Sequence, residues 1–101
     1  PASSEIVQTI GLLIEATWEG CQVASHGRRA GMGASPRAGQ DLFRACQARA
    51  LMMGRLNITA DDLRTLVLPV FNHRIFLPTS LRAEGKTPRT ILTDIARRLL
   101  S

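Results

Sequence analysis

The sequence predicts a mainly α-helical chain, a small bundle of about four helices, and three observations predict it. Apolar residues recur at helical spacing in four separate segments. Ser or Thr followed by proline or by acidic residues stands at several of their starts, as helix caps require. The composition is rich in Leu, Ala and Arg, lacks tyrosine and is only 4% aromatic, a balance that favours helix over sheet. At 101 residues the chain suits one domain, residues 1–101, with a modest aliphatic core. It opens on a helix signal without an initiator methionine, so it reads as a fragment of something larger.

The first helix is expected from about Ser4 to Trp18, where Ile6, Val7, Ile10, Leu13, Ile14 and Trp18 form one stripe. Cys21 to Met32 lacks this period and reads as a connector, with a short extended piece before Gly33. The second helix is capped by Ser35 and stops near Gly54, with Leu42, Phe43, Cys46, Ala50 and Met53 on one face, widened by Ala38, Ala45 and Met52. Thr59 caps the third, and Asp61 and Asp62 suit its positive end. Leu63, Leu66, Val67, Val70 and Phe71 then form an amphipathic stripe that belongs to the core, with Pro69 expected to kink or divide the helix. Ile75-Phe76-Leu77 reads as extended and offers a partner for the piece before Gly33 in a short two-stranded β-ribbon. Thr79 to Lys86 reads as a polar connector. Thr87-Pro88 starts the last helix, whose apolar side is Ile91, Leu92, Ile95 and Leu99.

Several chemistries are excluded or weakened by what is missing. No GxxxxGK[ST] loop is present, so the chain cannot cradle a triphosphate alone. His26 and His73 lack partners at metal-ligand spacing, and no carboxylate pair or Ser-base arrangement suggests catalysis. Cys21 and Cys46 supply neither a disulfide framework nor a zinc set and read as reduced thiols of a cytoplasmic protein, Cys46 within the core. No apolar stretch reaches the roughly 20 residues of a membrane span. Net charge is +5, from 13 Lys+Arg against 8 Asp+Glu, and Lys86 is the only lysine. Arginine dominance suits bidentate contacts with phosphate or carboxylate.

The most informative segment is Gly33-Ala34-Ser35-Pro36-Arg37-Ala38. Ser35 is placed to cap, and Pro36 suits the first helical position. Arg37 then stands in the first turn, where the helix dipole disfavours a cation by about 0.3–1 kcal/mol. Helical side chains lean toward the N-terminus, so Arg37 projects past the helix end, where a guanidinium can grip a phosphate. The competing reading is an ion pair with Asp41, one turn on. Arg28, Arg29 and Arg74 offer cations for the same anion-facing surface or a subunit contact, against the alternative of a solvated basic loop.

An ordered set of short motifs carries a resemblance over nearly the whole chain. Gly33-Ala34-Ser35-Pro36-Arg37-Ala38, Gly54-Arg55, Ile58-Thr59-Ala60-Asp61-Asp62-Leu63, Asn72-His73-Arg74-Ile75 and Ala83-Glu84-Gly85 resemble the C-terminal lid of MoxR-type AAA+ ATPases. The resemblance implies a helical lid packed on a separate N-terminal AAA+ core domain that binds most of the ATP and its Mg2+. It implies that Arg37 corresponds to the sensor-2 arginine on the ATP phosphates, with Ser35 and Pro36 positioning it. It implies ATP-driven rings, generally hexamers, chaperone-like remodelling of client proteins, and a von Willebrand A-domain protein as partner. The fragment is then no enzyme alone, while its parent is an ATP hydrolase. Two alternatives stand beside this one. A helix-turn-helix-like DNA-binding domain fits the charge, but Asp61 and Asp62 weigh against nucleic acid where a recognition helix would meet phosphates. A protein-interaction bundle without a nucleotide role is the other.

Overall fold

A computed structural model of the chain describes residues 4–21 and 31–100. It is a small helical bundle with five helices: α1 (Ser4–Gly20), α2 (Pro36–Met52), α3 (Ala60–Phe71), α4 (Thr79–Ala83) and α5 (Pro88–Leu100). α2 packs on α1 and α3, and α5 packs on the same two helices, so α2 and α5 lie across the bundle from each other. Leu13, Leu42, Leu63, Val67, Phe71, Leu92 and Ile95 are fully buried between them, together with the free thiol of Cys46. Each large aliphatic side chain buried this way contributes roughly 1.5–3 kcal/mol. The α3 stripe therefore serves as core, with Leu66 and Val70 half-buried at its margin.

Four expected core positions lie outside it. Val7, Met52 and Met53 are exposed, and Leu99 is partly so, while Leu100 takes the buried place near the end of α5. The reason is the width of each contact: a helix that touches two neighbours buries a limited stripe, and the last turn of α2 directs Arg49 and Ala50 inward. There Leu51, Met52, Met53 and Leu56 all face outward.

The helix ends follow local rules. Gly54 takes φ +76°, its N–H donates to Leu51 O at 3.0 Å, and Arg55 N–H donates to Ala50 O at 2.7 Å, closing α2 with a Schellman turn. Thr87 caps α5: Thr90 N–H donates to Thr87 Oγ1 at 3.2 Å and Thr87 N–H to Thr90 Oγ1 at 2.9 Å. Pro69 does not divide α3, which runs on to Phe71. It stands in the last turn, between the buried Val67 and Phe71.

Two expectations are corrected. Thr79 to Lys86 is not a plain connector, because α4 occupies its first five residues. Leu81 packs against the core, and Gly85 at φ +87° ends the turn, with Lys86 N–H donating to Leu81 O at 3.1 Å. One apolar residue among polar ones carries no period, so this short helix has little signal in sequence. The two-stranded ribbon is not formed among the described residues. Met32 and Phe76 make a single antiparallel bridge, with N–H to O distances of 2.8 and 2.7 Å. On one side of the bridge Ala34 is already engaged by side chains of α1.

α2 and α3 are tied together at a buried carboxylate. Asp62 is fully buried and accepts from Arg49 Nη1 at 2.5 Å, from Arg55 Nη2 at 2.7 Å and Nη1 at 2.9 Å, and from Thr59 N–H at 2.8 Å. The Arg55 hydrogen bonds, helped by Thr59 N–H and Arg49, outweigh burial and hold its carboxyl well below the usual 3.8. Asp62→Asn keeps the volume and removes the charge. It should cost about 3 kcal/mol at neutral pH, the low end for a broken buried pair because both arginines still reach water. A depressed native pKa means that Asp62 stabilises fully above its unfolded value and less as pH falls below it. Thermal melts should therefore show wild-type stability falling on acidification below about pH 4, with a shallower fall in Asp62→Asn.

Candidate functional site

The candidate site is the start of α2, and side chains of α1 build its base. Thr17 is fully buried, and its hydroxyl donates to Ile14 O at 2.6 Å within α1 while accepting from Ala34 N–H at 2.9 Å. The next residue, Trp18, donates its indole Nε1–H to Ala34 O at 2.9 Å. Both backbone groups of Ala34 are thus satisfied by adjacent side chains of one helix, which fixes the chain just before α2. Gly33 comes so close that a Cβ there would lie 2.5 Å from the Trp18 backbone nitrogen, so no larger residue fits without displacing α1.

From this clamp the motif unfolds residue by residue. Ser35 takes an extended backbone, φ −81° and ψ 164°, and its Oγ accepts from Ala38 N–H at 3.2 Å. Pro36 occupies the first helical position and contributes no N–H. Ala38 and Gly39 are buried against α1, where Gly39 leaves room for Ile14. Arg37, just before them, is exposed. With Pro36 lacking an amide and the Ala38 amide spent on Ser35, the guanidinium is the principal donor that this helix end offers.

Arg37 makes no ion pair or side-chain hydrogen bond among the described residues. Asp41, the expected competitor, is taken by Arg74, whose Nη2 lies 3.0 Å from Asp41 Oδ2. That contact ties α2 to the segment after α3 and leaves Arg37 unclaimed within the bundle. Arg74 therefore has a local partner, while Arg28 and Arg29 lie outside the described residues, as does His26. His73 is exposed. Beside the Arg37 turn, an apolar groove runs between α1 and α2, bordered by Val7, Gly11, Ile14, Pro36 and Phe43. Among the described residues no cluster of His, Cys, Asp or Glu could hold a metal ion, and no helix is long and apolar enough to cross a membrane. Burial pushes the Cys46 thiol up to about 11, aided by the nearby Asp62 charge, so it carries no nucleophile at neutral pH.

The capping pattern of Ser35 and Pro36 is visible in the sequence, whereas the side chains that hold this helix start are not. Thr17 has no signal in sequence, being one hydroxyl within an apolar stripe. Trp18 was expected only as packing. Asp62 was read as a dipole acid, although its place three residues after Thr59 has the spacing of a reciprocal cap.

Residues 24–95 match the model of the AAA lid domain family. Protein MoxR of Paracoccus denitrificans is 41% identical over 61 residues, a match covering 58% of this chain and 18% of MoxR. A crystal structure of a "putative ATPase" from Cytophaga hutchinsonii superposes with a TM-score of 0.80 at 28% identity, over 95% of this chain and 30% of that one. The chain spans less than a third of either relative's length.

The clamp can be tested in the isolated chain, where Trp18 is the only tryptophan. Thr17→Val keeps the shape but strands the buried Ala34 N–H, and should cost about 1–3 kcal/mol in thermal or denaturant melts. Ser35→Ala should cost about 1 kcal/mol. Thr17→Val should also shift Trp18 emission, whereas Ser35→Ala should leave it in place.

Proposed function

The chain belongs to the AAA lid domain family and is a lid of the MoxR type, and from that premise we propose that it serves as the sensor-2 lid of an ATP-hydrolysing ring, with Arg37 reading the nucleotide. The observation that carries this is the state of Arg37: exposed, in the first turn of a capped helix, with its one-turn neighbour Asp41 paired elsewhere. A cation placed against the helix dipole and left without a partner gains most from an anion brought by a neighbouring module.

ATP with Mg2+ would be held mainly by the N-terminal AAA+ core, and supplies the phosphoanhydride whose hydrolysis powers the cycle. Arg37 would donate its guanidinium N–H groups in a bidentate contact to phosphate oxygens across the cleft. Ser35 and Pro36 hold the helix start so that the side chain points outward, and the groove at Ile14 and Phe43 offers an apolar wall beside it. When the terminal phosphate leaves, Arg37 loses part of its grip, and the lid is free to turn relative to the core. Subunits in a ring, a hexamer in this reading, would couple that rotation to chaperone-like remodelling of a client in the cytoplasm, with a von Willebrand A-domain protein as adaptor.

Arg37→Ala in the intact ATPase tests the assignment. ATP turnover should fall by at least about tenfold, toward the 10²–10³ range for loss of one charge-stabilising donor. Stability of the isolated lid should change by less than about 0.5 kcal/mol, as expected for an exposed side chain. Arg37→Lys should recover only part of the turnover, because it restores the charge without the fork. Turnover that ignores both substitutions would remove Arg37 from the nucleotide site.

A further inference from the structure

α5 turns Leu92 and Ile95 into the core and leaves a charged outer face. A shallow groove on that face is lined by Lys86, Arg89, Thr90, Thr93, Asp94 and Arg97. All six residues are exposed. Lys86 and Arg89 make no ion pair among the described residues, whereas the single carboxylate, Asp94, lies 3.6 Å from Arg98 on the same helix. The cations stand at a different helix from Arg37, α2 and α5 each packing on α1 and α3.

We propose that the outer face of α5 docks an acidic segment of a partner protein, with Lys86 and Arg89 receiving its carboxylates. Charge complementarity is the argument. Two unpaired cations stand at the start of α5, where the helix dipole adds to their positive field. Arg89 offers the planar fork that carboxylates fit, and Arg97 lies two turns on along the same groove. A protein segment fits better than a nucleic acid. Lys86 precedes α5, and Arg89 to Arg97 spans only about 12 Å of helix, with three cations lining the groove against the roughly 6–10 phosphate contacts of a strongly salt-dependent nucleic-acid site. Asp94 also interrupts the row, which repels a continuous phosphate backbone but suits a mixed-charge peptide. This inference does not depend on the role assigned to Arg37.

The test uses the whole chain and a labelled peptide alternating Glu and Ala, followed by fluorescence anisotropy at low salt. Its Gln-for-Glu counterpart and a short DNA duplex are the comparisons. Wild type should bind the Glu peptide, fail to bind the Gln peptide, and bind the duplex more weakly. Lys86→Glu with Arg89→Glu should weaken the Glu peptide by at least about tenfold. Gln8→Glu, Arg44→Glu and Gln47→Glu together make the same change in net charge elsewhere and should weaken it less than about twofold. Circular dichroism melts report folding, and the milder pair Lys86→Gln with Arg89→Gln should give a smaller loss in the same direction. The proposal is overturned if wild type ignores the Glu peptide, if both charge-changed variants lose equally, or if the duplex binds as tightly.

Discussion

Both backbone groups of Ala34 are held by neighbouring side chains of α1, and the placement of the whole site depends on that. Thr17 accepts the amide and Trp18 donates to the carbonyl, each at 2.9 Å. These bonds are made in a buried place, where an unmade one would cost the full desolvation of the group. They fix the point at which the chain enters α2. Gly33 permits the close approach, Ser35 caps and Pro36 sets φ. The direction of Arg37 is the outcome of this series and needs no contact of its own within the bundle.

A second polar fastening holds the other end of α2. Asp62 gathers Arg49 from α2, Arg55 from the turn after it, and Thr59 from the start of α3. The aliphatic core between these points is non-directional, and apolar packing alone would tolerate small slides of one helix along another. The buried hydrogen bonds at both ends remove that freedom by specifying partners. The Arg74–Asp41 pair adds a surface tie between α2 and the chain after α3, and by occupying Asp41 it leaves Arg37 available.

Charge is arranged differently on α2 and α5. At the α2 end a lone guanidinium projects beside an apolar groove. On α5 several cations share a polar face across the bundle. The excess of arginine over lysine suits both, because a planar fork serves phosphate and carboxylate alike.

Helix positions, their caps and most core residues were legible in the sequence because each depends on neighbours three or four places away. Ser35-Pro36, Thr87-Pro88 and Gly54 carry their geometry locally, and the α3 stripe announces its buried side. The family resemblance was legible for the same reason, being an ordered series of such local signals. What only the tertiary structure decided depends on residues far apart in the chain. Thr17 and Ala34 are 17 residues apart, and Arg49 and Asp62 are 13 apart. Ala34, beside the Met32–Phe76 bridge, was engaged by α1, α4 formed with Leu81 against the core, and Met52 and Met53 stayed outside because the last turn of α2 directs Arg49 and Ala50 inward. By itself the sequence determined the four longer helices and where each begins, since capping and periodicity are short-range physics. Folding decided which polar groups are buried together, since a hydrogen bond across the bundle exists only once the helices have met.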